Sequence, residues 1–314
     1  MQTRKTISVV VPCFNEVGNV ENMYRTVRSV MANLPQCDYE TLFIDNASTD
    51  GTDAILRRLA KEDKKVKVIL NNRNFGPDCS LFHGLISSRG DAAIFLSCDF
   101  QDPPEMIVDF VGEWEKGAKV VWGQRRKSAG SPAMALTRTV YYKLIRKLSP
   151  LPQYDKVVGF GLYDREVLNE LREMRDPAPF IRNMVPILGY KPVLMPYDQR
   201  ERASGKSSYN LFSYFNTALM GMVHTSKVPL KLAIWMGMAF SCMSFLVGLF
   251  YLAYKLVFWD RFSVGSAPMI IMVSMIASLQ LFFLGILGEY VLAIKDQVSF
   301  NKYVVEKERI NFDD

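Results

Sequence analysis

The chain has 314 residues and a formal net charge of +6, and hydrophobic residues make up 49% of it. This length suits one large domain or two smaller ones, and the mean hydropathy of +0.04 is high for a fully soluble protein. The five cysteines are scattered without a Cys-x-x-Cys pair, which argues against a disulfide framework or a zinc site and favours a reducing compartment.

Short β-rich runs alternate with helical periodicity in the first part of the chain. Most of these runs are almost continuously apolar, as expected for strands that are covered on both faces. Between them, apolar residues recur at helical spacing, as in Val17–Met31. The alternation predicts an α/β fold with a mainly parallel sheet and helices on both faces. The predicted strands are Ile7–Val11, Thr41–Ile44, Val66–Leu70, Ala93–Ser97 and Lys119–Trp122.

Polar clusters follow the first four predicted strands. Because open α/β sheets bind ligands at the carboxyl ends of their strands, these clusters indicate a binding site at that edge. Loops are often polar for solubility alone, but four successive loops rich in Asp, Asn and Glu exceed that need. The clusters are Pro12–Glu16, Asp45–Gly51, Asn71–Pro77 and Asp99–Glu105.

The fourth cluster carries oxygen ligands suited to a hard divalent cation. Asp99, Gln101 and Asp102 follow a buried strand, where uncompensated acidic groups are costly. Mg²⁺ or Mn²⁺ prefers such ligands and could neutralise a diphosphate held beside them. A dinucleotide dehydrogenase is disfavoured because no Gly-x-Gly-x-x-Gly follows the first strand.

Two basic amphipathic stretches, Ala133–Leu148 and Asn210–Val223, lie in the second half of the chain. Helices of this type lie in a membrane interface or pack against a neighbouring domain, and the pattern leaves both interpretations open.

Two longer uncharged runs, Leu232–Tyr254 and Phe262–Gly288, are of membrane-spanning length, with Pro268–Leu287 as the core of the second. Their short connection predicts a transmembrane helical hairpin. The basic residues that flank the hairpin place the large N-terminal part and both termini in the cytoplasm, in a multi-pass protein of the cytoplasmic membrane. These residues are Lys227, Lys231, Lys295, Lys302, Lys307 and Arg309.

Three motifs carry a resemblance to a known family. Val9–Glu16, Ile44–Thr52 and Ser97–Glu105 resemble, in order, the Pro-x-[Tyr/Phe]-Asn-Glu, Asp-Asp-Gly-Ser and Asp-x-Asp-containing motifs of glycosyltransferase family 2. The chain is most similar to the polyisoprenyl-phosphate glycosyltransferases of that family, and the resemblance extends over nearly its whole length. Arg73–Gly76 is similar to the family's Arg-Asn-x-Gly loop.

The resemblance implies a GT-A-type, Rossmann-like nucleotide-sugar-binding domain. It implies inverting transfer of a hexose, with glucose from UDP-glucose as the first choice, to polyprenyl (undecaprenyl) phosphate at the cytoplasmic membrane face. The partners would be the nucleotide sugar, the lipid acceptor and membrane lipid, with no nucleic acid, and the protein would form a homo-oligomer.

The predicted domain boundaries follow from this assignment. Residues 1–126 would bind the nucleotide sugar and residues 127–226 the acceptor, with interfacial helices. Residues 227–294 would form the hairpin and residues 295–314 a cytoplasmic tail.

The resemblance also assigns roles to individual residues. In the first two loops, Pro12, Phe14, Glu16 and Asp45 would bind the donor. In the fourth loop, Asp99 would be the main metal ligand with Gln101 in support, and Asp102 would contact sugar hydroxyls or orient the loop. Asp155 would be the catalytic carboxylate, although an ionised phosphate acceptor needs little help from a base. Phosphate or acceptor contacts would come from Arg125, Arg202, Lys206 and Ser207.

Three positions depart from the family pattern and keep alternatives open. Asn46 and Ser97 stand where the family has aspartates, and Gly161 stands where it has an arginine. A membrane-anchored sugar-nucleotide sensor or scaffold without turnover is therefore one alternative. A processive polysaccharide synthase is another, although Gln199–Ala203 lacks the Trp of the Gln-x-x-Arg-Trp motif and two spans are few for a translocation channel.

Overall fold

The computed structural model describes residues 4–126, 152, 154–174, 179–200, 266–298 and 304–312, and isolated positions between 235 and 257. The chain divides into two compact units. The first comprises Met1–Tyr142, Leu151–Tyr209 and Ser299–Asp314, and the second comprises Lys143–Pro150 and Asn210–Val298.

The first unit is built on an eight-stranded sheet with the order β7-β5-β6-β4-β1-β2-β3-β8. Parallel pairing joins β1 to β2 and β4, β2 to β3, and β5 to β7. Six strands run in one direction, as predicted for a mainly parallel sheet, whereas β6 and β8 pair antiparallel with their neighbours, so the sheet is mixed. The strands are β1 (Lys5–Cys13), β2 (Cys37–Asp45), β3 (Val66–Asn71), β4 (Ala92–Phe95), β5 (Val120–Arg125), β6 (Val157–Asp164), β7 (Val193–Tyr197) and β8 (Glu306–Ile310).

Helices connect most of these strands. Helix α1 buries Val20, Met23, Val27 and Val30, which recur at helical spacing along one face. Each large aliphatic side chain buried in this way contributes about 1.5–3 kcal/mol. The helices of the first unit are α1 (Val20–Met31), α2 (Thr52–Glu62), α3 (Pro77–Ser87), α4 (Met106–Glu115), α5 (Arg165–Glu173) and α6 (Ile181–Ile187).

Strand β8 lies close to the C-terminus and returns to the first unit. It pairs with β3, with Val68 opposite Ile310. Arg57 of α2 forms a bidentate ion pair with Glu308, at 2.9 and 2.6 Å. The segment predicted as a tail therefore contains an edge strand of the sheet.

The second unit contains α7 (Ser266–Val298), a helix of 33 residues that includes the predicted span Pro268–Leu287. Among the residues that the structure describes, no helix is both long and apolar enough to cross a membrane. The transmembrane hairpin is thus not confirmed. Its first predicted span, Leu232–Tyr254, lies largely outside the described residues, and so do the amphipathic stretches Ala133–Leu148 and Asn210–Val223.

Candidate active site

The strand directions bring the predicted site residues to one edge of the sheet. The carboxyl ends of β1 to β5 all lie there, and β6 begins there because it runs antiparallel to β4 and β5. This carboxyl edge carries Glu16, Asp45, Asp99 and Asp155, each in a loop or strand end. Open α/β sheets bind their ligands at this position.

Backbone strain is concentrated at the same edge. Asn15, Ala47, Phe100 and Lys156 have φ angles of 55°, 62°, 59° and 60°, and they are four of the five non-glycine residues with positive φ in the described part of the chain. Such conformations cost about 1–3 kcal/mol each and persist where the surroundings enforce them, often at functional sites. The loops after β1, β2 and β4 and before β6 are therefore held in defined shapes.

Side-chain hydrogen bonds join the loop after β1 to the loop after β2. The Asn15 backbone N–H donates to Ser48 Oγ at 2.8 Å, and the Val17 N–H donates to Asp50 Oδ2 at 3.0 Å. Asp50 Oδ1 also accepts from the Thr52 N–H at 3.0 Å, at the start of α2. Ser48 and Asp50 therefore fasten the loop after β1 to the loop after β2 and to the start of α2.

Asp45 ends β2 and is only 2% exposed. Its Oδ2 accepts a hydrogen bond from the Ser48 backbone N–H at 3.1 Å. Its buried Oδ1 has no hydrogen-bond partner within the described residues. Burial raises the pKa of Asp45, and the hydrogen bonds from Ser48 only partly oppose this effect. An unpaired buried acceptor is costly, so Oδ1 is suited to a donor group supplied by a ligand.

The other donor-site residues predicted from the first loop surround the end of β1. Pro12 is half-buried, whereas the Phe14 side chain is 42% exposed and available to a ligand. Glu16 is half-buried, and its Oε2 accepts a hydrogen bond from Asn19 Nδ2 at 2.6 Å. The three residues share the carboxyl edge with Asp45.

The turn after β4 holds the predicted metal ligands. Asp99 is 8% exposed, and its Oδ1 accepts a hydrogen bond from the Gln101 N–H at 3.2 Å. Gln101 Oε1 accepts from Gln199 Nε2 at 2.9 Å, and the Gln101 carbonyl accepts from the Arg200 N–H at 3.0 Å. The turn is therefore fastened to the segment that follows β7.

These ligands fit a metal that is shared with a substrate. Within the described ranges, no three His, Cys, Asp or Glu side chains cluster to form a metal site. Mg²⁺ is commonly held by one or two carboxylates together with substrate phosphates and water. A single buried carboxylate, Asp99, matches that mode of binding better than a complete protein cage.

Asp102 has a different role from its neighbour Asp99. It is fully buried, and both of its carboxylate oxygens have partners. Ser97 Oγ donates to Oδ2 at 2.8 Å, while the Tyr197 hydroxyl and Arg125 Nη2 (3.3 Å) donate to Oδ1. Of the two roles that the sequence left open for Asp102, these contacts support orientation of the loop. They also place Arg125, a predicted phosphate contact, in an ion pair.

The same contacts explain the departure at Ser97. A hydroxyl at this position donates to Asp102. An aspartate there would place a second carboxylate against a fully buried one, and like charges at this separation repel strongly. Ser97 therefore satisfies one oxygen of Asp102 with a hydrogen bond that an ionised aspartate could not donate.

Asp155 lies half-buried in the turn before β6. Gln124 Nε2 donates to the Asp155 carbonyl at 3.1 Å, and the Arg125 N–H donates to the Lys156 carbonyl at 3.1 Å. The turn is thus fixed to the end of β5, at the carboxyl edge. Its position is compatible with the predicted contact to the acceptor.

Close packing explains the glycine at position 161. A Cβ atom there would lie 2.0 Å from the Val121 carbonyl oxygen and 2.9 Å from Trp122 Cα. No side chain fits between β5 and β6 at that point, so the family's arginine is excluded by the packing of this chain.

Arg202, Lys206 and Ser207 lie outside the described residues. Tyr197 and Gln199 contact the β4 turn, although the sequence predicted no site role for either residue. No local motif marks these two residues, because their contacts arise only when β7 reaches the carboxyl edge.

Comparison with known proteins agrees with this geometry. Residues 8–172 match the family described as "Glycosyl transferase family 2". A prophage-derived bactoprenol glucosyl transferase of Shigella flexneri is 32% identical over 96% of this chain and 97% of its own length. A prophage bactoprenol glucosyl transferase homolog of Escherichia coli K12 is 31% identical over 91% of this chain and 93% of its own.

Among solved structures, a mannosyltransferase from Pyrobaculum calidifontis in complex with GDP-Man and Mn²⁺ is 17% identical, with a TM-score of 0.47 over 96% of this chain and 89% of that one. The family match covers more than half of the chain, and relatives above 30% identity cover nearly all of it. The chain therefore belongs to glycosyl transferase family 2 and is a glycosyltransferase with an α/β fold built on a mixed sheet.

Proposed function

We propose that this glycosyltransferase moves glucose from UDP-glucose to undecaprenyl phosphate and inverts the anomeric centre. The observation that carries the proposal is the extent of similarity to bactoprenol glucosyl transferases. It covers 96% of the chain, whereas the family match ends at residue 172. The likeness therefore includes the region after the nucleotide-binding half.

Asp45 supports a uridine nucleotide as the donor. Its unpaired Oδ1 is a buried acceptor at the carboxyl edge. The imide N–H of uracil supplies the matching donor, and pairing with it would remove the cost of the unpaired oxygen. The exposed Phe14 ring and Pro12 would form a wall beside the base.

Asp99 would hold a divalent cation, with Gln101 in support. Mg²⁺ or Mn²⁺ bound there would neutralise the charge that develops on the departing nucleoside diphosphate. The protein's own part is to keep the Asp99 carboxylate at the end of β4, through the Gln101 N–H and the anchored turn.

The acceptor chemistry makes few demands on a base. A phosphate oxygen of the lipid attacks C1 of the sugar, the C1–O bond to the diphosphate breaks, and the nucleoside diphosphate leaves with the bonding electrons. A phosphate monoester has a second pKa of about 6 and is largely ionised at neutral pH. Asp155 would orient the acceptor, and Arg202, Lys206 and Ser207 would bind phosphate.

The C-terminal strand supports a membrane topology for the proposed lipid acceptor. Because β8 pairs with β3, residues 304–312 lie on the same side of any membrane as the sheet. The chain between them would have to cross an even number of times. We propose a hairpin built from Leu232–Tyr254 and Pro268–Leu287, which meets that requirement. The catalytic unit and both termini would then lie at the cytoplasmic face. We also propose that the protein forms a homo-oligomer.

The test is transfer of label into lipid. The full chain, reconstituted with undecaprenyl phosphate, is given radiolabelled UDP-glucose, UDP-N-acetylglucosamine, UDP-galactose or GDP-mannose, with Mn²⁺ or with EDTA. We expect extractable labelled lipid from UDP-glucose only, and its loss in EDTA. Donor binding without transfer from any sugar would instead favour a sensor or scaffold, and turnover in EDTA would exclude the proposed cation.

A further inference from the structure

Asn46 directly follows Asp45, the last residue of β2. The family pattern has a second aspartate at position 46. It is only 4% exposed, and its backbone N–H donates to the Cys13 carbonyl at 2.9 Å. The hydrogen bond fixes the backbone between β1 and β2 immediately after Asp45. The Asn46 side chain points away from solvent toward the loop that follows β3.

The Asn46 carboxamide uses both of its donors and both acceptor positions. Nδ2 donates to Asn74 Oδ1 at 2.8 Å and to the Gly76 carbonyl at 3.3 Å. Oδ1 accepts from the Phe75 backbone N–H at 3.0 Å and from Asn71 Nδ2 at 3.1 Å. One side chain thus binds three positions of the loop and the end of β3.

Two further hydrogen bonds extend this arrangement, which we call the amide clamp (Asn46, Asn71 and Asn74). Asn74 Oδ1 also accepts from the Gly76 N–H at 2.8 Å. Asn71 Nδ2 also donates to Ser80 Oγ, in α3, at 2.8 Å. The clamp therefore joins the ends of β2 and β3 to the first turns of α3.

An aspartate at position 46 could not form the same contacts. It would keep the two acceptor bonds but would present a lone pair to Asn74 Oδ1 and to the Gly76 carbonyl, where Asn46 now donates. It would also bury a charge that has no cationic partner in the clamp, which is strongly unfavourable. Asparagine, rather than the family's aspartate, therefore fits the two acceptors that the 72–76 loop of this chain presents to position 46.

We infer that Asn46 is a positioning residue for the donor: its carboxamide holds the 72–76 loop against the end of β2 so that Asp45 Oδ1 faces a nucleoside diphosphate. The inference rests on the proposed function for the identity of the donor. It assigns to Asn46 no contact with the reacting atoms. Loosening the clamp should therefore weaken donor binding and raise the KM for the donor, with little change in kcat.

Two variants make the same chemical change with opposite expected results. Asn46→Asp removes a donor group, and we expect about tenfold weaker UDP binding by titration calorimetry. Hydrogen exchange in residues 72–76 should become faster. Asn74→Asp keeps the Oδ1 acceptor that the clamp uses, so exchange in the loop should stay as in the natural chain. Asn33→Asp, on the exposed turn after α1, controls for added charge.

Acidic pH separates the clamp from a general loss of structure. Protonation converts the carboxylate introduced by Asn46→Asp into a donor, so the deficit of this variant in UDP affinity relative to the natural chain should shrink between pH 7.5 and pH 5.5. Asn46→Ala has no donor at any pH, and its deficit should not shrink in this way. Asn74→Ala, which removes an exposed acceptor, tests the clamp with less risk to folding.

The outcomes are distinct. Faster loop exchange with unchanged UDP affinity would overturn the positioning role, and weaker binding with unchanged exchange would overturn the clamp as its cause. A natural chain that does not bind UDP would overturn both this inference and the proposed donor. A chain that binds UDP and shows the expected variant effects, but transfers no glucose, would overturn the proposed function alone.

Discussion

Asp45 at the end of β2 and Asp102 in the turn after β4 are the two most deeply buried aspartates of this edge, and their carboxylates differ in their hydrogen bonds. Asp102 is fully buried, and side chains from two other strand ends and its own turn satisfy both oxygens. Asp45 is 2% exposed, yet its Oδ1 has no partner in the described residues. Burial alone thus does not distinguish the two carboxylates, and the unsatisfied Oδ1 is the observation on which the proposed donor role of Asp45 rests.

The electrostatic surroundings show the same contrast. Burial raises the pKa of Asp45, and the nearby carboxylates of Asp53 and Asp50 add to the effect. Asp102 faces Arg125. Burial lowers the pKa of Arg125, but the effects of Asp102 and Tyr197 are larger together, so the pKa is raised overall. Asp102 in the β4 turn is thus paired with a cation from the end of β5, whereas we propose that a ligand completes the contacts of Asp45 at the end of β2. Five variants test this difference.

Asp99→Asn should have the largest effect. Asp99 shares the β4 turn with Asp102 but is the carboxylate assigned to the diphosphate side, so its loss should reduce transfer on the order of 1000-fold. Thermal stability should change little, since the amide oxygen of the substituted side chain can still accept from the Gln101 N–H. Asp38→Asn, which affects an exposed ion pair with Lys65, is the control and should leave transfer intact. Transfer near the natural rate in Asp99→Asn would remove Asp99 from the mechanism.

Asp102→Asn should instead act on stability. It leaves the half-buried Arg125 without its counter-ion and one oxygen site without an acceptor. Removing one partner of a buried ion pair typically costs about 3–5 kcal/mol, and partial exposure of Arg125 places this variant near the lower figure. Denaturant unfolding of the full chain measures the loss. A variant as stable as the natural chain but unable to bind donor would reverse the roles that we assign to the two turns.

Ser97→Asp and Ser97→Ala change the contact with the Asp102 carboxylate to different degrees. Alanine removes one hydrogen bond to Asp102, and we expect a loss of about 1 kcal/mol in the free energy of unfolding. Aspartate restores the family residue but places two buried carboxylates together, and we expect about 2 kcal/mol. If Ser97→Asp were more stable than Ser97→Ala, a cation at the turn would have to be compensating the added charge. Addition of EDTA would then reverse the order.

The sequence predicted β1 to β5 but missed β6 inside the sheet and β7 and β8 at its two edges. Continuous apolar runs identify β1 to β5, because these strands are covered on both faces. Strand β8 (Glu306–Ile310) is mostly charged, and it is an edge strand held by contacts such as Arg57 with Glu308. Hydrophobic periodicity cannot detect such a strand, since its place depends on residues about 250 positions earlier in the chain.

The site follows the same rule. Motif positions located Asp45 and Asp99, because the ends of parallel strands meet at one edge whatever the loops contain. The partners of Asp102 could not be predicted, since Tyr197 lies 95 residues away and is brought there by β7. The sequence alone showed that three positions differ from the family pattern. Their explanation needed the contacts of Asn46 and Ser97 and the packing of Gly161.

Asp45→Asn gives the sharpest contrast with Asp102. Asp45 accepts on Oδ2 from the Ser48 N–H, and a bound base would donate to Oδ1. An asparagine has a single acceptor oxygen, so it can keep only one of these contacts and must present an N–H to the other donor. We expect about tenfold weaker UDP binding, measured by calorimetry.

The stability of Asp45→Asn without ligand should change in the opposite direction. Because the folded-state pKa of Asp45 is raised, its stabilising contribution is full below the pKa of an unfolded aspartate and is lost as pH rises through the folded-state value. At neutral pH the buried carboxylate therefore destabilises the unliganded fold, and Asp45→Asn should raise the unfolding temperature, with a gain that shrinks as pH falls toward 4. Asp102→Asn should lower the unfolding temperature over the same pH range. If both variants lowered stability at neutral pH, Asp45 would be a structural carboxylate like Asp102. The unpaired Oδ1 would then no longer support a donor site at Asp45.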